Sequence, residues 1–273
     1  MDITLLCDNT VLTDHYYLGE PGLSVHIKDQ ETEVLFDLGY SDVFLRNALA
    51  MGIAPCDAEY VVFSHCHLDH TWGLGPLLRH HVTTWSKKKP EFLGHPALFR
   101  SVQFDGDEIG MVASEETLAR YGTVRLSHTP VEITDEIVFL GEIPRRFCFE
   151  GRTAIGTSEG VPDLVPDDTA LACRTDDGLV VVTGCAHAGI CATVEYAREV
   201  SGEEKVADVI GGFHLLDASP AQIEATCRYF GDLGADQIHP CHCTGLPATL
   251  ALARVAKVCE TGVGLRLSFG PRS

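Results

Sequence analysis

The sequence predicts an α/β protein, and three observations predict it. Strand-like and amphipathic helical segments alternate along most of the chain, an Asp-Gly step joins two of the strands, and a 45% apolar content over 273 residues can bury a sizeable core in one domain spanning 1–273. In chain order, "TLLC" at 4–7, "SVHI" at 24–27 and "EVLFD" at 33–37 are short runs rich in aliphatic and β-branched residues, each a strand candidate. Ser41 and Asp42 can cap a helix that carries Val43, Phe44, Asn47, Ala48 and Met51, after which "YVVFS" at 60–64 returns as a buried strand. From about 76 to 165 the pattern loosens, and this stretch, with its basic run Lys87, Lys88 and Lys89 as a solvated loop, is expected to elaborate the core. "TALACR" at 169–174 and "LVVVTG" at 179–184 flank Asp177-Gly178, a hairpin signal. A helix over about 188–200, the strand "VADVIGGF", a helix opened by Ser219-Pro220 and a last helix before "GLRLSF" complete the second half.

Composition narrows the function classes. The eleven cysteines, an odd count scattered through apolar segments, fit reduced thiols better than a disulfide framework. The first residues lack a basic start and a long apolar stretch, so a cytoplasmic protein off the membrane is expected. A formal charge of −19 repels nucleic acid and anionic membrane, so a small-molecule substrate is the expected partner, and an anionic one needs a local source of positive charge. Oligomeric state is open.

"VVFSHCHLDHTWGL" at 61–74 offers that source. His65, His67, Asp69 and His70 place four potential ligands in six positions directly behind a buried strand, where bonds to the backbone alone would hardly satisfy them. Residues 65 and 67 share a side if strand geometry persists, and a turn can bring 69 and 70 to a neighbouring point. Two adjacent sites for divalent ions follow, zinc in the first instance, with iron or manganese as alternatives for imidazole and carboxylate ligands. Two ions about 3.5–4 Å apart can hold an attacking hydroxide and a leaving oxygen together.

His65-x-His67-x-Asp69-His70, with Ser64 before it and Thr71-x-Gly73 after it, resembles the signature of the metallo-β-lactamase superfamily, and "LFDLG" at 35–39 resembles that superfamily's strand-ending Asp-x-Gly. The resemblance implies a four-layer αββα sandwich with an insertion after the histidine motif. It also implies that Asp37 steadies the ligand loop. "GEIPR" with Phe149-Glu150, "DDTAL", "TGCAHAGI", "GGFHL" and "PCHCTG" resemble, in that order, the dihydropterin-ribofuranosylaminobenzene-phosphate synthase-like group. By that likeness His187 would join His65 and His67 on a first ion, and His242 would join Asp69 and His70 on a second.

Where many superfamily members carry Gly-Asp, this chain carries Gly184-Cys185, and Cys185 is either a thiolate ligand or a small core residue. Asp167 or Asp168 can also reach the site or simply end a loop. His214, behind Gly211-Gly212, is a candidate for holding a substrate anion or donating a proton, and Asp69 stands beside it as a candidate catalytic carboxylate. Arg145 can offer a phosphate a bidentate fork. The expected function is a metal-dependent enzyme acting on a small phosphorylated or anionic molecule, by hydrolysis or by transfer of a dihydropterin-methyl group. An iron-dependent oxidoreductase and a non-catalytic metal-binding protein are the alternatives.

Overall fold

The computed structural model describes residues 1–84 and 88–270, so Lys87 of the basic run lies outside the described residues. In chain order the elements are β1 (Asp2–Cys7), β2 (Ser24–Asp29), β3 (Thr32–Phe36), α1 (Val43–Ala50), β4 (Tyr60–Val62), α2 (Leu68–Thr71), α3 (Leu74–Thr83), β5 (Glu91–Gly94), β6 (Gln103–Phe104), β7 (Asp107–Glu108), α4 (Glu115–Leu118) and β8 (Thr123–Leu126). There follow β9 (Val131–Glu132), β10 (Ile137–Phe139), β11 (Thr157–Ser158), β12 (Val161–Pro162), β13 (Ala170–Thr175), β14 (Gly178–Thr183), α5 (Ile190–Ser201), β15 (Val206–Gly212), α6 (Pro220–Leu233), β16 (His239–Cys241), α7 (Leu246–Leu252) and β17 (Arg266–Ser268). Among the described residues no helix is long and apolar enough to cross a membrane.

The chain forms two compact units. The first takes Met1–Ser127, Gly156–Asp163 and Gly262–Ser268. Its main sheet runs β17-β1-β2-β3-β4-β5-β8, and a small sheet runs β12-β11-β6-β7. The loosely patterned stretch from 76 to 165 therefore supplies two strands of the main sheet, all of the small one, and β9 and β10 of the other unit. β3, β4 and β5 are parallel with their ends aligned, Phe36 opposite Val62 and Val62 opposite Leu93. α1 packs on β1. Leu6, Leu35, Phe44, Phe63 and Phe92 belong to its buried cluster, each contributing about 1.5–3 kcal/mol through burial.

The second unit holds His128–Ile155 and Leu164–Thr261, with Phe269 and Gly270. Its sheet runs β16-β15-β14-β13-β10-β9. β13 and β14 form the hairpin announced by Asp-Gly, and Gly178 takes φ +123°, a conformation side chains disfavour. β14, β15 and β16 are parallel, with Thr183 opposite Gly211 and Gly212 opposite Cys241. α5 packs on β13 and β14 and begins a helix layer continued by α6 and α7. Ser219 caps α6 by accepting from the Gln222 N–H at 3.2 Å, and Pro220 sits at its first turn. Both units thus present a row of aligned carboxyl-terminal strand ends, the place where open α/β sheets carry their ligands.

Candidate metal centre

In the first unit, the chain leaves β3 at Asp37, β4 at Phe63-Ser64 and β5 at His95. Asp37 is fully buried at φ +58°, a left-handed turn that a non-glycine residue holds only under constraint. The constraint is visible in its bonds. Oδ1 accepts from the Ser64 N–H at 2.8 Å, while Oδ2 accepts from the Ser64 hydroxyl at 2.6 Å and from His70 Nδ1–H at 2.6 Å. The Ser64 hydroxyl, its one proton committed to Asp37, can only accept from His65 Nδ1–H at 2.8 Å. One carboxylate, directly for His70 and through Ser64 for His65, therefore sets the tautomer of two histidines and makes Nε2, not Nδ1, the lone-pair nitrogen of each.

His65 Nε2 then lies 3.0 Å from His67 Nδ1, and His70 Nε2 lies 3.7 Å from Asp69 Oδ2. His67 precedes α2 in extended conformation, and its carbonyl accepts from the His70 and Thr71 N–H groups, so one short turn of helix carries Asp69 and His70 past it. Thr71 Oγ1 donates to the Cys66 and His67 carbonyls at 3.1 Å each. Gly73 is required because a Cβ there would stand 2.0 Å from the Leu38 carbonyl oxygen. His95, which the sequence did not single out, is buried at the end of β5, and its Nδ1 accepts from the Ala97 N–H at 3.1 Å.

In the second unit, the ends of β14, β15 and β16 carry Cys185 and His187, His214, and His242. Ala186, His214 and His242 all take left-handed φ, at +54°, +50° and +51°. Close backbone packing enforces these turns. A Cβ on Gly212 would stand 2.6 Å from both Cys243 Sγ and the Gly184 carbonyl oxygen, while Thr244 Oγ1 accepts from the Phe213 N–H at 3.1 Å and donates to the Cys241 carbonyl at 2.7 Å. The Cys185 thiol lies within 4.8 Å of a ring nitrogen of His187 and of one of His242, and the rings of His187 and His214 are 4.2 Å apart.

Three groups hold the His187 segment. Asp168 Oδ2 accepts from the Ala188 N–H at 2.8 Å, and burial lifts this carboxyl to about 7 against the pull of the His187 and Ala188 N–H groups and the Arg145 charge. Arg145, expected to offer its fork to a phosphate, donates instead to the carbonyls of His187 at 2.9 Å, Gly151 at 2.6 Å, Val165 at 3.2 Å and Leu164. A guanidinium spent on four carbonyls is a brace for the loop. Glu150 Oε1 accepts from the Ala192 N–H at 2.8 Å and Oε2 from the Cys191 N–H at 3.3 Å, so its buried carboxylate, raised by desolvation, occupies the amino terminus of α5.

Burial pulls the His214 imidazole downward, but the Cys243 sulfur bonded to it and the Asp168 carboxylate outweigh that and raise it. The Cys243 thiol is held well below its usual range, because bonds from Cys185 and His214 and the charge of His242 overcome desolvation. A cavity of about 240 Å3 opens over this end of the unit, with His187 and His214 in its lining.

The donor chemistry of each half suits a divalent ion. The 3.0 Å between His65 Nε2 and His67 Nδ1 is near the edge of about 3.3–3.4 Å expected for two nitrogens on one tetrahedral zinc with bonds of about 2.0–2.1 Å. Imidazoles already donating their other nitrogen to fixed acceptors are the form metals bind.

The metallo-beta-lactamase superfamily model matches residues 18–146. A protein of Methanocaldococcus jannaschii named 7,8-dihydropterin-6-methyl-4-(beta-D-ribofuranosyl)-aminobenzene-5'-phosphate synthase is 34% identical over 230 residues, covering 79% of this chain and 76% of that protein. The crystal structure of Tm1679, described as a metal-dependent hydrolase of the beta-lactamase superfamily, superposes with a TM-score of 0.82 at 31% identity, covering 99% of each chain. YhfI from Bacillus subtilis, a metallo-beta-lactamase fold protein, gives a TM-score of 0.57 at 14% identity over 97% of this chain and 98% of that one, a likeness of fold alone. With the buried Asp37 wired to the histidines of an HxHxDH motif, and with relatives matched over most of their length, the chain belongs to the metallo-beta-lactamase superfamily.

Proposed function

We propose that the chain is an enzyme whose two ligand groups serve one pair of divalent ions, zinc in the first instance, and that it acts on a small phosphorylated or otherwise anionic molecule. The observation that carries this proposal is the wiring of His65 and His70 to Asp37, which prepares two buried imidazoles as ligands. In this assignment His65, His67 and His187 hold the first ion, and Asp69, His70 and His242 hold the second. Such ions polarise a phosphoryl or ester oxygen and acidify water toward a pKa of about 7. Asp37 orients the ligand loop, and Asp69, whose side chain is 26% exposed, directs the attacking group from beside His70. His214, on the cavity wall next to His187, delivers a proton to the leaving oxygen. Cys185 is an added ligand for zinc, supported by its place between His187 and His242.

Hydrolysis is the first form of this chemistry. A second form, transfer of the activated group to an organic acceptor, is favoured by the relative named as a synthase. Turnover of p-nitrophenyl phosphate, bis-p-nitrophenyl phosphate and a dihydropterin-methyl diphosphate with an aminobenzene acceptor, compared in chelated and zinc-reloaded protein, tests both. At least one reaction is expected to stop on chelation and return with zinc. Reloaded protein that turns over none of them would contradict the enzymatic assignment.

A further inference from the structure

We infer that the cavity of the second unit binds a compact molecule with a flat apolar body and an anionic substituent, and that Arg152 takes the anion. The inference rests on the proposed function only for what lies beside the cavity, since His187 and His214 line it. Its volume of about 240 Å3 is below the usual range of about 300–1,000 Å3 for ligand pockets, which suits one or two rings and excludes a bulky chain. Phe149, Ile155 and Leu216 supply apolar lining, and Leu216 keeps 64% of its surface exposed.

The cavity lining carries one basic side chain, Arg152, beside the acidic Glu150 and Asp217. The sequence has 39 acidic and 20 basic side chains, and basic residues are paired in many places: Arg100 with Asp163, Arg120 with Glu116, Arg146 with Glu199, Arg228 with Glu224 and Lys205 with Asp236. Arg152 is exposed, lines the cavity, and among the described residues makes no hydrogen bond or ion pair. Asp217 lines the same cavity without pairing to it. Seven positions earlier Arg145 is consumed by backbone carbonyls, and the amino terminus of α5, the other natural anion site nearby, is already filled by Glu150. The one guanidinium left at this cavity for a phosphate or carboxylate is therefore Arg152, whose planar fork fits either group with two parallel bonds.

Calorimetric titration of the zinc-loaded protein, and of the same protein after chelation, with phenylphosphonate and with its neutral counterpart benzyl alcohol tests this. Phenylphosphonate is expected to bind the parent, to bind Arg152→Ala about tenfold more weakly in both metal states, and to recover part of that loss in Arg152→Lys, while benzyl alcohol affinity and zinc content stay unchanged. Arg152→Ala binding phenylphosphonate within twofold of the parent, or a parent that does not bind it, would overturn the inference. An Arg152 effect on affinity without any zinc-dependent turnover would keep this site and remove the enzymatic assignment. Zinc-dependent turnover with no Arg152 effect would do the reverse.

Discussion

Replacing His67 by alanine is expected to remove one bound ion per chain and to lower metal-dependent turnover by more than about a hundredfold, while far-ultraviolet circular dichroism stays near that of the parent. The size follows from the position. His67 is 6% exposed, its ring nitrogen is 3.0 Å from His65 Nε2, and substitutions one shell further out already cost about 10–100-fold in comparable sites. The fold should survive because what His67 gives to the backbone is its carbonyl, which accepts from His70 and Thr71 and is retained by alanine. Elemental analysis, steady-state kinetics and circular dichroism on the same preparation separate the two roles. Full activity at matched metal content would contradict a catalytic first ion.

Asp37→Asn is the more severe change for so small an alteration. The amide oxygen can keep the Ser64 N–H, but the amide nitrogen presents protons to two groups that also donate, the Ser64 hydroxyl and His70 Nδ1. Two buried donors lose their acceptor, which costs about 2–4 kcal/mol of stability; His70 loses the partner that fixes its tautomer, and the Ser64 hydroxyl that accepts from His65 loses the group that holds its own proton. Metal affinity measured by competition with a chelating indicator is expected to fall about 10–100-fold, and urea unfolding of the metal-free protein should shift to lower denaturant. Unchanged affinity would mean that the ligand nitrogens are set by something other than Asp37.

Much of this arrangement is written locally. The strands read at 4–7, 24–27 and 60–64, the last observed as Tyr60–Val62, and the hairpin at 175–178 follow from aliphatic and β-branched content and an Asp-Gly step, and the cluster at 65–70 stands out because four potential ligands so close together have no cheaper explanation. What the sequence hides is partnership at a distance. Arg145 looks like a phosphate fork in one dimension, and only the approach of the Gly151, Leu164 and His187 carbonyls turns it into a brace. Glu150 and Asp168 gain their roles the same way, from backbone N–H groups 20 and more residues further on. His95 lacks ligand-rich neighbours in sequence and becomes notable only because β5 ends level with β4. The small sheet is built of two-residue strands such as Gln103–Phe104 and Thr157–Ser158, too short for any periodicity to appear.

Metal stoichiometry tests the central claim most directly. Protein purified without added metal, stripped with a chelator and reloaded with zinc, is expected to saturate at two ions per chain by elemental analysis and equilibrium dialysis, with His67→Ala saturating at one. Saturation of the parent at a single ion, or no retained zinc at all, would contradict the binuclear centre and with it the assignment of Asp69, His70 and His242 as a second set of ligands.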